Sequence, residues 1–260
     1  MDAADLKGRL DALTTAISRA CGVFDVPTDQ TLDADADFLF EVVCYFALVA
    51  GLRVRRVLCV PGTLAESHCP RTGRLRFRVQ LSTGEELDVC QGTEIRDVYG
   101  TPRAPDVQLQ HANEDAIPPF TVLVGIWDAK YRGGRRQRIS KEDFFKFVGY
   151  METLDVPDVA AGDVLERTAP AAFRVSALLT NGIGPTEKPE HLLEKGVSIV
   201  ERFAGDASLV PDPTVDAHLR SARRPGRPNR RATAAPGAGA AVVRLPRAVR
   251  TQKVDRPSLK

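Results

Sequence analysis

The segment TVLVGIWDAKY, residues 121–131, constrains the fold more than any other part of the chain. Its branched and aromatic residues specify a β-strand, and its apolar character places that strand inside a sheet, where both faces are covered. Yet it carries Asp128 and Lys130. Side chains alternate across a strand, so these two are expected on one face with Val124 and Ile126, while Trp127, Ala129 and Tyr131 point to the other. An edge-strand ion pair would also account for them, but the run is too apolar for an edge. Charges on a covered face need partners, because unpaired buried charge is costly.

The surrounding pattern predicts an α/β fold with a mixed central sheet flanked by helices. Leu6, Leu10, Leu13 and Ile17 recur at helical spacing and predict an amphipathic helix over 4–20. A second helix, about Phe38 to Ala50, follows a cap at Asp35 or Asp37 and ends near Gly51. It is apolar nearly all round, so it should be buried, and Glu41 is the acid that interrupts it. Strands are expected at 54–60, 75–81, 86–95, near 106–110, at 121–131, 173–181 and 197–203, with turns at Arg71-Thr72-Gly73 and Ser82-Thr83-Gly84. Ser140 should cap a helix from Lys141 to about Leu154, and EHLLEK near 190 reads as a further short helix. The segments divide as a helical N-terminus (1–34), a main domain (35–213) and a tail (214–260).

The tail is rich in Pro, Ala, Gly and Arg without apolar periodicity, so disorder is expected. Residues 218–260 hold twelve Lys or Arg against one acid, Asp255, which leaves 24 basic against 33 acidic residues in the remainder. The tail is read either as a nonspecific DNA-tethering arm or as a soluble extension. The longest apolar stretch, Phe38 to Leu52, is too short for a membrane span of roughly 20 residues. The N-terminus lacks the basic start and apolar run of a secretory signal, so a cytoplasmic protein is expected. Five cysteines without a C-x-x-C pair give no disulfide framework. Cys44, Cys59 and Cys90 fall in apolar patterns where reduced cysteine acts as a small hydrophobe. His68-Cys69 is at most half a zinc site. No G-x-S-x-G, Walker lysine or H-E-x-x-H is present.

A divalent cation is one way to satisfy the charges near the core strand. Pro105-Asp106 begins the preceding strand, and Asp106 and Asp128 offer hard oxygen ligands, with the Ala129 carbonyl as a third. Taken alone, Asp106 after Pro105 is also an ordinary turn residue. Phosphodiester hydrolysis needs a positioned water and neutralisation of charge on the phosphate, and Mg²⁺ or Mn²⁺ supplies both. Lys130 would orient that water and contact the phosphate. Glu41 is read as an outer ligand, a ligand to a second metal, or a core acid satisfied by Arg55 or Arg56.

Pro105-Asp106 with Asp128-Ala129-Lys130 resembles the PD-(D/E)xK, or restriction endonuclease-like, nuclease superfamily. Glu41 falls where many members place an acid on the first core helix. The wording PDVQLQ, VGIWDAKYR and FFKFVGYM is most similar to McrC-type nuclease subunits over about residues 35–205. That resemblance implies a restriction endonuclease-like core and Mg²⁺-dependent cleavage of DNA, in restriction or phage defence, leaving 5′-phosphate ends. RNA is not separated from DNA by the sequence. Members often dimerise or work with a separate NTPase or specificity subunit, and this chain has no P-loop of its own. Many relatives carry a glutamine in the helix after the lysine. Here that helix reads Phe-Phe-Lys-Phe, so Lys146 is the candidate substitute. Asp5-Leu6-Lys7 also fits Asp-x-Lys, but it opens an amphipathic helix with no strand before it. The loop Arg132, Arg135, Arg136, Arg138 reads as a backbone contact for nucleic acid beside the site, or as a solvated turn. A non-catalytic nucleic-acid-binding or assembly subunit with the same fold is the competing reading.

Overall fold

The computed structural model describes residues 1–21, 35–52, 54–58, 75–156, 169–185 and 198–209. Helix α1 (Ala3–Cys21) buries Leu6, Leu10 and Ile17 along one face. Helix α2 (Ala36–Gly51) begins at Asp35, whose carboxylate accepts from the Phe38 backbone N–H at 2.8 Å. Every residue from Leu39 to Val49 except Glu41 is buried. Each large side chain so buried contributes about 1.5–3 kcal/mol, so this helix is the main hydrophobic anchor of the molecule.

Seven strands form one mixed sheet: β1 (Val54–Leu58), β2 (Leu75–Leu81), β3 (Glu86–Gln91), β6 (Val107–His111), β7 (Leu123–Lys130), β8 (Ala177–Thr180) and β9 (Ser198–Val200), in that spatial order. Pairing is antiparallel from β1 through β7 and parallel from β7 through β9. The run 86–95, expected as one strand, is broken. It stops at Gln91, Gly92 takes φ +60, and Ile95–Arg96 (β4) pairs with Pro102–Arg103 (β5) in a separate hairpin. The left-handed backbone at Gly92 is where a residue without Cβ ends the ladder.

Two cores lie on opposite faces of the sheet. α1 and α2 pack with Trp127, Ala129, Leu87, Val89, Val107 and Leu109. Helix α3 (Lys141–Thr153) packs with Leu123, Ile126, Leu178 and Ile199 through Phe144, Phe147, Val148 and Met151. It starts with a full capping box between Ser140 and Asp143. Val124 joins the α2 side, contrary to the alternation expected from the sequence. The β6–β7 register shifts between Leu109 and Gln110, so that Leu109 faces Gly125 and Gln110 faces Leu123. A bulge of this kind inserts one residue and inverts the faces before it. Ile126, Asp128 and Lys130 keep the expected face.

Other expectations match with small offsets. The strands near 106–110, 121–131, 173–181 and 197–203 are observed at 107–111, 123–130, 177–180 and 198–200. A 3-10 turn at Phe120–Val122 takes the start of the second of these runs, and another at Ala171–Phe173 precedes β8. The predicted helix near 190, the His68-Cys69 pair and the basic tail lie outside the described residues, as do the side chains of Arg55 and Arg56. No helix among the described residues is long and apolar enough to cross a membrane.

Candidate active site at the end of strand β7

Asp106, the residue before β6, meets Asp128 and Lys130 at the C-terminal end of β7. Its Oδ2 accepts the Ala129 backbone N–H at 2.7 Å and the Lys130 ammonium at 3.1 Å. Lys130 Nζ also stands 2.8 Å from Asp128 Oδ2 and donates to the Ala129 carbonyl at 3.2 Å. The Asp128 side chain is 0% exposed. Asp128 Oδ2 thus meets the Lys130 ammonium, while its buried Oδ1 has no hydrogen-bond donor.

The electrostatics follow from this crowding. Burial and the neighbouring Asp106 push the Asp128 carboxyl above the ordinary carboxylate range, and Lys130 only partly opposes them. Burial acts against the charge on Lys130, but Asp106 and Asp128 outweigh it and hold the ammonium protonated above its usual range. Glu41 is raised as well, by burial first and by Asp106 second. It reaches the cluster from α2, where its side chain hydrogen-bonds Gln91 at the end of β3. The Cys44 thiol, fully buried on the same helix, is held far above its normal value by burial and by Asp106. It is therefore no nucleophile here.

The donor set suits a hard divalent cation: two aspartates, one of them with both side-chain oxygens buried, and a backbone carbonyl. Among the described residues, however, no three His, Cys, Asp or Glu side chains converge closely enough to enclose an ion by themselves. Asp106 and Asp128 therefore hold the central position, with Ala129 supplying its carbonyl and Glu41 standing off on the α2 side.

The four arginines of the following loop separate into two kinds. Arg132 is held inside the protein: its guanidinium contacts Asp143 and donates to the carbonyls of Tyr131 and Arg138. Arg138 donates to the Gly184 carbonyl at 3.0 Å. Arg135 and Arg136 are exposed at the turn. Lys146 lies on α3 with its ammonium 5.4 Å from the centre of the Tyr150 ring. Partial desolvation works against its charge, but attraction from Asp128 raises it overall, so Lys146 feels the cluster from the α3 side.

Sequence reasoning missed three residues. Tyr150 stands four positions after Lys146 on the same flank of α3, and only that spacing hinted at it. Gln91 carries no local signal. Asn181, after β8, accepts the Arg132 N–H at 2.5 Å and donates to the Arg132 carbonyl at 2.6 Å, as a paired strand would. With the Thr180 hydroxyl on the Lys130 carbonyl at 2.7 Å, it fixes the backbone that carries the lysine. Gly182 permits this closeness, since a Cβ there would stand 2.2 Å from the Gln137 carbonyl. Compared with models of protein families, with curated proteins and with solved structures, the chain has no match in any of the three.

Proposed function

We propose that the chain is a metal-dependent nuclease with a restriction endonuclease-like core, hydrolysing phosphodiester bonds of DNA at Asp106, Asp128 and Lys130. One observation carries this reading: a fully buried Asp128, packed against Asp106 and sharing with it the single ammonium of Lys130. Two carboxylates of like charge at this depth are a poor structural device. Replacing such charges with apolar residues is often neutral or stabilising, whereas a cation-binding role gives them a use.

Asp106 and Asp128, with the Ala129 carbonyl, would hold the cation. Bound there, Mg²⁺ or Mn²⁺ supplies Lewis acidity and a water of lowered pKa. Asp106 also holds the Ala129 N–H, which fixes the strand end that presents the carbonyl. Lys130, protonated and tethered between two acids, would orient the attacking water and neutralise the scissile phosphate. Arg135 and Arg136 offer exposed positive charge for the nucleic-acid backbone, and Lys146 adds a cation from α3.

A calorimetric Mg²⁺ and Mn²⁺ titration of the wild type and of an Asp106→Asn/Asp128→Asn variant tests the reading. Binding by the wild type that vanishes in the variant is expected. Cleavage of DNA by the wild type and not by Lys130→Ala, with DNA binding retained, is expected alongside it. DNA binding without cation binding or cleavage would replace this reading with that of a non-catalytic subunit.

A further inference from the structure

Gln91 is a second residue in this region with a buried oxygen that has no donor. It is 1% exposed, and its Oε1 receives no hydrogen bond. It ends β3 directly opposite Val107, one residue from Asp106, and the next N–H, of Gly92, donates to the Asp106 carbonyl at 3.0 Å. Alternation sets Gln91 with Leu87 and Val89 on the α2 face, where its side chain meets Glu41. Asp128 belongs to the opposite face with Ile126. Asp106, at the end of the sheet, adjoins both.

An unpaired buried carboxamide oxygen is a cost to folding, and no donor in the structure offsets it. The nearby ammonium of Lys130 is already engaged by two aspartates and a carbonyl. A side-chain amide oxygen is a neutral hard ligand of the kind that Mg²⁺, Mn²⁺ and Ca²⁺ accept beside carboxylates. Because it is an amide, two acids and Gln91 do not make a three-acid cluster.

We propose that Gln91 is a cation ligand: with Glu41 and Asp106 it forms a divalent-cation position on the α2 side of the sheet, next to the one between Asp106 and Asp128. The inference rests on reading the Asp106–Asp128 cluster as a cation site and adds a neutral ligand from another strand. The test is a Mn²⁺ titration of the full chain, followed by calorimetry and by the free-ion electron paramagnetic resonance signal. Wild type, Gln91→Leu, Gln91→Glu and Asp106→Asn/Asp128→Asn are compared.

Gln91→Leu should weaken Mn²⁺ binding by roughly 10- to 100-fold, the range seen when a supporting partner of a metal site is lost. Wild-type Mn²⁺ affinity in Gln91→Leu overturns the proposal. If that variant does not fold, Gln91→Glu decides: tighter Mn²⁺ binding supports a ligand role, and unchanged affinity overturns it. Loss of binding in the double aspartate variant alone refutes Gln91 and leaves the nuclease reading standing. Absence of Mn²⁺ binding by the wild type refutes the cation site and this proposal together.

Discussion

Replacing Lys130 with methionine removes the charge at the centre of the cluster while keeping the length of the side chain. Asp128, 0% exposed, then loses its counter-ion, and Asp106 loses one of two donors to Oδ2. Breaking a buried pair in this way costs about 3–5 kcal/mol. Since Lys130 and Asp106 are each slightly open to solvent, the lower end, about 3 kcal/mol, applies at pH 8. The loss depends on pH with a definite sign. A carboxyl whose pKa is raised by folding binds more protons in the native state than in the unfolded one, so stability falls as pH rises from the ordinary carboxylate value to the raised one. Asp128 is already raised by burial and by Asp106, and without Lys130 it is raised further. Near pH 5 the native variant holds that proton, and the loss should shrink to about 1 kcal/mol, the scale of a lost hydrogen bond. Urea denaturation of wild type and Lys130→Met at pH 5 and pH 8, in chelator, measures both values. Equal losses at the two pH values, or none at either, would refute the buried, undercompensated carboxylate on which the reasoning depends.

Changing Arg135 and Arg136 together to alanine should reduce the slope of log affinity for DNA against log salt by about 2, with an unchanged urea midpoint; an unchanged slope would remove both from the interface. Arg132→Ala should instead lower stability by roughly 1–3 kcal/mol, because it leaves Asp143 and two carbonyls without their donor. Asn181→Ala removes both bonds to the Arg132 backbone and should lower the turnover of DNA cleavage more than DNA affinity. Equal changes in the two would show a general loosening and no effect on Lys130.

The elements with local signals were legible from the residues alone. Asp35 and Ser140 are capping residues in plain sequence, and both cap as expected. The apolar run around Trp127 specified an interior strand, and β7 lies third from one end of seven, paired on both sides. Contacts set between distant segments were not legible. Val124 changes face because of a register shift against β6, which is a property of two strands. Gln91 looks like any polar strand residue until β3, β6 and α2 are assembled around it. Arg132 and Arg135 are indistinguishable as letters, and they separate only when Asp143 and Asn181 claim the first of them.

The change from antiparallel to parallel pairing at β7 bears on how the molecule comes together. From β2 to β3, and from β6 to β7, neighbours in the sheet are neighbours in the chain, joined by short reversals that close readily. Strand β8 pairs with β7 only after an intervening stretch that includes α3, and Lys130 lies opposite Thr180 across 50 residues of chain. Pairings of such long range, and parallel ones above all, form slowly. Asp106 and Asp128 can therefore meet while the sheet is half built, whereas the bonds from Thr180 and Asn181 that fix Lys130 arrive with the last strands. The acids and the ammonium of the candidate site thus come together in one antiparallel pair, and the backbone around Lys130 is pinned only when the last strands dock.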